Sequence, residues 1–285
     1  MLKMRLSTFY KIQRRVVSIR NHFFLIIVAI TCLFPLVWTF GSALKTQQTV
    51  FSDMSIIPTH PHWENFIIAW TKGNFGTYFL NTVFYTAVVV TGILLIASLA
   101  AYAFARLNFP GKNLFFFMFL AVLMIPIPAG FVALYTLLNK LHLINTRLGY
   151  ILVQINGGLP LAIYLLKTFF EKIPKDLEDA ARIDGCSKFG IYWHIAMPLA
   201  KPAIAVVVIF QALYVWNEFF LANLILSNKA YMPLQKGLMV FRGAHLTQYP
   251  LLMAGILITI IPIIFVYLIM QRHIIQGITA GAVKG

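Results

Sequence analysis

The chain has 285 residues, of which 60% are hydrophobic and only 11% charged, and its mean hydropathy is +0.82. Soluble domains carry about 25% charged residues, so this composition excludes a water-soluble globule and points to a polytopic membrane protein. The net charge of +15 does not indicate nucleic acid, because the basic residues fall between apolar stretches and form no continuous face; anionic lipid headgroups are the expected counter-charge.

Six stretches reach the roughly 18–20 residues needed to cross a bilayer. A basic N-terminal segment, residues 1–22, precedes the first, Phe23–Phe40. Its apolar run exceeds the 7–15 or so residues of a signal-peptide core, so it is expected to be an uncleaved anchor. Pro58, Pro61 and Trp63 in the following loop suit an interfacial segment. The second span, Phe79–Phe104, carries Ala97, Ser98, Ala100, Ala101 and Ala103, a packing surface. In the third, Leu114–Leu138, Pro126, Pro128 and Gly130 predict a kink. In the fourth, Leu148–Leu166, the run Asn156-Gly157-Gly158-Leu159-Pro160 predicts an interruption. Such breaks would border a cavity; for the third and fourth spans alike, simple helix packing around small residues is the alternative.

A polar island at 171–201 separates the fourth span from the fifth and holds Glu171, Asp176, Glu178, Asp179 and Asp184, five of the eight acidic residues. Pro174 suits a helix start, and the acids that follow suit the positive end of the helix dipole. Leu177, Ala180, Ala181 and Asp184 share one side, and the adjacent alanines would let another backbone approach closely. Gly185 predicts the end of this helix. Ser187 predicts the cap of a second, carrying Phe189, Trp193 and Ile195 and stopping at Pro198. A lipid-resting amphipathic loop is the alternative, but five carboxylates would be repelled by anionic lipid.

The fifth span, Pro202–Leu226, contains the single intramembrane acid, Glu218. Tyr214, Trp216, Asn217 and Glu218 are candidates for a translocation path, with Trp216 stacking on a sugar face and Asn217 bonding hydroxyls; the alternative is that Glu218 holds helices together or reaches the interface. The sixth span is Leu251–Met270. With the N-terminus inside, sixteen of the 23 Lys and Arg residues fall on inner segments and seven on outer ones, which by the positive-inside rule places both termini and the island in the cytoplasm. The expected organisation is a cytoplasmic segment 1–22, a transmembrane domain 23–271 that includes the 171–201 loop, and a cytoplasmic tail 272–285. Cys32 falls in a span and Cys186 in the island, so a disulfide is not expected, and no histidine set has metal-ligand spacing. No catalytic constellation is present, and no G-x-x-x-x-G-K-[ST] phosphate loop occurs.

Asp179-Ala180-Ala181, three residues, Gly185, nine residues, then Ile195-Ala196-Met197-Pro198 resembles the E-A-A, G, I-x-L-P signature of permease subunits of ATP-binding-cassette importers, in the carbohydrate-uptake branch related to the maltose transporter. Asp replaces Glu at 179 and Met replaces Leu at 197. Leu143-Ile144-Asn145-Thr146, Trp216-Asn217-Glu218-Phe219 and Gly277-Ile278-Thr279-Ala280-Gly281 are similar to the same branch. The resemblance implies an all-α type I importer permease of six transmembrane helices in a bacterial or archaeal cytoplasmic membrane. Asp179, Ala180, Ala181, Asp184, Gly185, Ile195 and Pro198 would dock the ATPase, and the tail would reach toward it. The implied partners are a second homologous permease, two cytosolic ATPase subunits carrying ATP and Mg, an extracellular or periplasmic solute-binding protein and a carbohydrate cargo. An ion-coupled secondary transporter or channel subunit is the alternative, with Glu218 as its one candidate ion ligand.

Overall fold

The structure is a computed structural model that describes the backbone of residues 2–125, 130–243 and 246–282, and within these the side chains from residue 17 to residue 269. Among the described residues the chain is all-helical, with one isolated β-bridge between Arg242 and Thr247. In chain order the helices are α1 (Leu2–Ala43), α2 (Glu64–Lys72), α3 (Phe75–Arg106), α4 (Lys112–Val122), α5 (Phe131–Lys140), α6 (Arg147–Phe170), α7 (Lys175–Ile183) and α8 (Lys188–Ile191). A π-helical turn (Tyr192–Ala196) follows, then α9 (Met197–Leu199), α10 (Lys201–Trp216), α11 (Phe220–Ile225), α12 (Leu234–Gly237) and α13 (Tyr249–Ala282).

Four segments are long and apolar enough to cross a membrane unaided: Val17–Ala43, Phe75–Arg106, Arg147–Phe170 and Tyr249–Ile269. They contain the predicted first, second and fourth spans and all of the sixth but Met270. The predicted third is covered by α4 and α5, and Pro126 and Pro128 of the expected kink lie outside the described residues. The predicted fifth is not one helix. It stops at Trp216 and resumes at Phe220, and α10 is itself joined to Lys188–Leu199 through a 74° bend. Hydropathy registers apolar length and is blind to such breaks; the one at 217–219 is made by Glu218, which accepts from Leu221 N and Ala222 N.

The chain divides into two units. The first comprises Met1–Trp70 and Phe241–Ile258. Within it, the segment after α1 is folded around Lys45, whose ammonium donates to the carbonyls of Asp53 at 2.5 Å and Ser55 at 2.8 Å and lies 5.3 Å from the Trp38 ring centroid. Asn65 Nδ2 donates to the carbonyls of Ala43 and Lys45. Gln47 donates to Thr247 O at 2.8 Å and accepts from Tyr249 N at 3.0 Å.

The second unit comprises Thr71–Val240 and Thr259–Gly285. Its core is the parallel pair α3 and α6. Tyr85 faces Tyr150 with ring centroids 4.7 Å apart, Ile93 faces Gly158, and Tyr102 meets Phe170 edge to face at 5.7 Å. The predicted interruption at 156–160 does not occur, since α6 runs through Pro160 unbroken. The glycines there serve close packing. A Cβ on Gly158 would lie 2.3 Å from Ile93 Cδ1 and 2.5 Å from Gln211 Oε1. Gln211 Nε2, from α10, donates to the Gly158 carbonyl at 3.2 Å, tying α10 to α6 at the same point.

One end of this unit is closed by the segment 227–234. Asn81 donates to the carbonyls of Ala230 and Met232, Tyr85 OH donates to Tyr231 O, and Leu234 N donates to Thr82. Asn145, in left-handed backbone conformation at φ 56°, accepts from the N–H groups of Ser227 and Asn228. Thr146 caps α6 by accepting from Gly149 N.

Candidate functional site

The island folds as an elbow. Pro174 takes the position just before α7, and Asp176 and Glu178 occupy its first turn while Arg182 sits in its last, each complementing the helix dipole. At the other end Cys186 N donates to Ala181 O at 2.9 Å and Gly185 N to Arg182 O at 3.1 Å. This closure needs a left-handed residue, and Gly185 supplies it at φ 83°. Ser187 then caps α8 by accepting from Gly190 N at 3.1 Å. The second arm does not stop at Pro198 as predicted. Pro198 lies in α9, which continues the helical stretch Lys188–Leu199 without a break, and the arm ends at Leu199 before the bend.

The two faces of α7 differ. Leu177, Asp179, Ala180, Ile183 and Asp184 are exposed, Ile183 at 87%. Glu178 and Ala181 are buried. Of the predicted alanine pair, only Ala180 thins the outward surface, because Ala181 packs inward. Asp179 accepts from Arg182 Nη1 at 2.9 Å on the exposed side. On the second arm Pro198 is exposed and Ile195 half-buried, while Phe189 and Trp193 are exposed and Tyr192 is buried with its hydroxyl 2.8 Å from Ser98 Oγ.

Sequence reasoning missed the tie between this elbow and the helix bundle. Arg106, the last residue of α3, places Nε 2.6 Å from Glu178 Oε1, with side chains 6% and 4% exposed. The N–H does not point along that line, since neither atom has a hydrogen-bonding partner, so the contact is an ion pair held by proximity. Arg106 also donates through Nη2 to Ile173 O, just before α7. In the sequence Arg106 reads only as a basic residue at a span end, and nothing in that pattern links it to a carboxylate 72 positions later.

The four candidate path residues split between two surroundings. Trp216 donates to Thr259 O at 3.1 Å and meets Phe79 edge to face at 5.8 Å. Glu218 accepts from Tyr150 OH at 2.9 Å, Leu221 N at 2.5 Å and Ala222 N at 3.1 Å. Its carboxyl thus caps α11 and braces α6, favouring the helix-holding alternative over a lining role. Tyr214 and Asn217 are exposed, and Asn217 Oδ1 accepts from Gln235 Nε2 at 3.5 Å. Among the described residues no three His, Cys, Asp or Glu side chains gather where they could hold a metal ion.

Residues 92–280 match the family model described as binding-protein-dependent transport system inner membrane component. The chain is 36% identical over 262 residues to the probable ABC transporter permease protein YurM of Bacillus subtilis (strain 168), covering 92% of this chain and 87% of that protein. It is 32% identical over 266 residues to the diacetylchitobiose uptake system permease protein NgcG of Streptomyces coelicolor, covering 93% and 88%. It is also 35% identical over 262 residues to the arabinooligosaccharides transport system permease protein AraQ of Halalkalibacterium halodurans, covering 90% and 93%. Among solved structures, a chain of a bacterial ABC transporter that imports the acidic polysaccharide alginate superposes with a TM-score of 0.76 at 26% identity, covering 90% of this chain and 96% of that one.

Proposed function

Because the chain belongs to the family of binding-protein-dependent transport system inner membrane components, we propose that it is the permease half-pore of a carbohydrate importer and that its 175–199 elbow is where a separate ATPase pushes. It is an ABC transporter permease subunit, a multi-pass component of the cytoplasmic membrane that works with a solute-binding protein and an ATPase. The proposed cargo is an oligosaccharide, supported by relatives named for diacetylchitobiose and arabinooligosaccharides and by the alginate importer.

The proposed topology has six spans with both termini cytoplasmic. The third span is α4 with α5, and the fifth is α10 with α11. The sixteen-to-seven distribution of basic residues supports this orientation. A second, homologous permease completes the pathway, and two ATPase subunits carry ATP and Mg. Asp179, Ala180, Asp184, Gly185 and Pro198 present the docking surface. Ala181 and Ile195 support it from beneath, and the C-terminal tail reaches toward the same ATPase pair. Closure of that pair carries the elbow inward and opens the pathway outward. Hydrolysis reverses the motion. A near-complete switch between the two states needs a differential of about 5.5 kcal/mol.

The observation that carries this reading is the two-faced α7, whose outward Leu177, Ala180 and Ile183 are exposed among the described residues while its inward face is fastened to the bundle. The test is reconstitution. Vesicles holding this chain, its partner permease and the ATPase subunits should accumulate labelled oligosaccharide only with binding protein outside and ATP inside. Ala180→Asp should lower ATPase copurification by about tenfold or more, as a charge placed on a packed contact does, with membrane insertion unchanged. Uptake that survives removal of the ATPase and collapses with a protonophore would replace this reading with the ion-coupled one.

A further inference from the structure

We infer that Arg106 and Glu178 are positioning residues that make the end of α3 travel with α7, so that the ATPase stroke enters the bundle through α3 as well as through the two helices adjoining the elbow in sequence. The inference deepens the proposed function and rests on it. The elbow has two covalent joints to the bundle. One is the short connection from Phe170 to Lys175, and the other is the 74° bend at Ala200. Either can hinge. The Arg106 tie bypasses both, gripping α7 through Glu178 in its first turn and through the Ile173 carbonyl before its start.

The second arm is fastened to the same helix. Tyr192 OH meets Ser98 Oγ at 2.8 Å in a buried position, and the Tyr102 ring stands between Phe170 at 5.7 Å and Tyr192 at 5.3 Å. Thus α3 touches both arms of the elbow. An apolar contact at the Arg106 position would slide under load. A buried pair of opposite charges resists slip, because separation leaves each ion without a partner and without water. Arg182 Nη2 stands 3.9 Å from Glu178 Oε2 and also pairs with exposed Asp179, so the inward charge communicates with the docking face.

The test uses the complete reconstituted importer, reading cargo transported per ATP hydrolysed. Arg106→Gln and Glu178→Gln each strand a buried charge, so they should lower protein level as well as transport. The double variant Arg106→Gln/Glu178→Gln removes both charges and should restore assembly and ATPase copurification, yet remain about five- to tenfold down in cargo per ATP, the size expected of a coupling contact. Wild-type coupling in the assembled double variant would reduce the pair to a stabilising contact and overturn the inference. A second measurement leaves the pair intact. Spin labels at Asn108→Cys and Lys175→Cys, both exposed and outside the docking surface, with Cys32 and Cys186 replaced by Ser, should keep one separation in the nucleotide-free and ATP-trapped states. A separation that changes between those states overturns the inference even if the double variant does not assemble. Failure of the wild-type chain to bind its ATPase would instead overturn the proposed function, which keeps the two outcomes apart.

Discussion

Gly185 is required for its dihedral and not for space. A Cβ built there meets nothing within 4 Å, but φ is 83°. Gly185→Ala should therefore cost about 1–2 kcal/mol of elbow stability and lower ATPase-coupled uptake, whereas a bulky residue adds a clash only against the partner. Comparing Gly185→Ala with Gly185→Trp in ATPase copurification separates strain from contact. Gly158 is the opposite case, an α-helical glycine with no room. Gly158→Val should cost about 1–3 kcal/mol through overpacking against Ile93 and Gln211, read as a lower midpoint in thermal unfolding of the purified complex. At the broken fifth span, Glu218→Ala removes three accepted hydrogen bonds and should lower that midpoint too. Asn217→Ala leaves the described packing in place and should change transport without changing unfolding.

At the scale of elements, the loop that follows α1 depends on one lysine. Lys45→Met keeps the apolar stem and leaves the carbonyls of Asp53 and Ser55 without their donor, a change of about 1–3 kcal/mol. Limited proteolysis should then cut within residues 46–57 while sparing the helices. Acid should loosen the same loop. The Ser55 hydrogen bonds, with a smaller contribution from Lys45, hold the Asp53 carboxyl below its ordinary value of 3.8. A carboxyl depressed in the folded state contributes stability that is present above the ordinary value and is lost as pH falls through the depressed one. Proteolysis of the loop should therefore stay slow at neutral pH and quicken only below about pH 4.

These elements also show what was legible in the amino-acid pattern. Spans with long apolar runs, such as Val17–Ala43 and Tyr249–Ile269, stand out because the bilayer demands them. The elbow was legible because its punctuation is local, with Pro174, Gly185 and Ser187 each acting on their own turn. The break at Asn217–Phe219 was hidden because its cause is the Glu218 side chain reaching Leu221, Ala222 and Tyr150. The expected break at 156–160 failed for the converse reason, since Gln211 and Ile93 close around the glycines and keep the helix whole. The Arg106–Glu178 pair joins residues too distant for any periodicity to connect.

For the whole molecule, two native cysteines report the topology. Cys186 is exposed at the bend of the elbow and Cys32 is exposed on an apolar span. A membrane-impermeant maleimide should label Cys186 in inverted vesicles but not in intact cells, and should leave Cys32 unlabelled in both. Adding the ATPase subunits should protect Cys186. Labelling from outside intact cells would reverse the proposed orientation.

The wide turn at Tyr192–Ala196 carries a historical implication. A π turn is an α-helix holding one surplus residue, so dropping a single codon between Trp193 and Ile195 would heal it into regular coil spacing. The wide turn absorbs the rotation of about 100° that one extra residue would otherwise impose, so the repaired helix would keep the Tyr192 phenol facing Ser98. A chain shortened there would keep its lever aimed as it is, whereas the same deletion in the regular helix on either side would turn it.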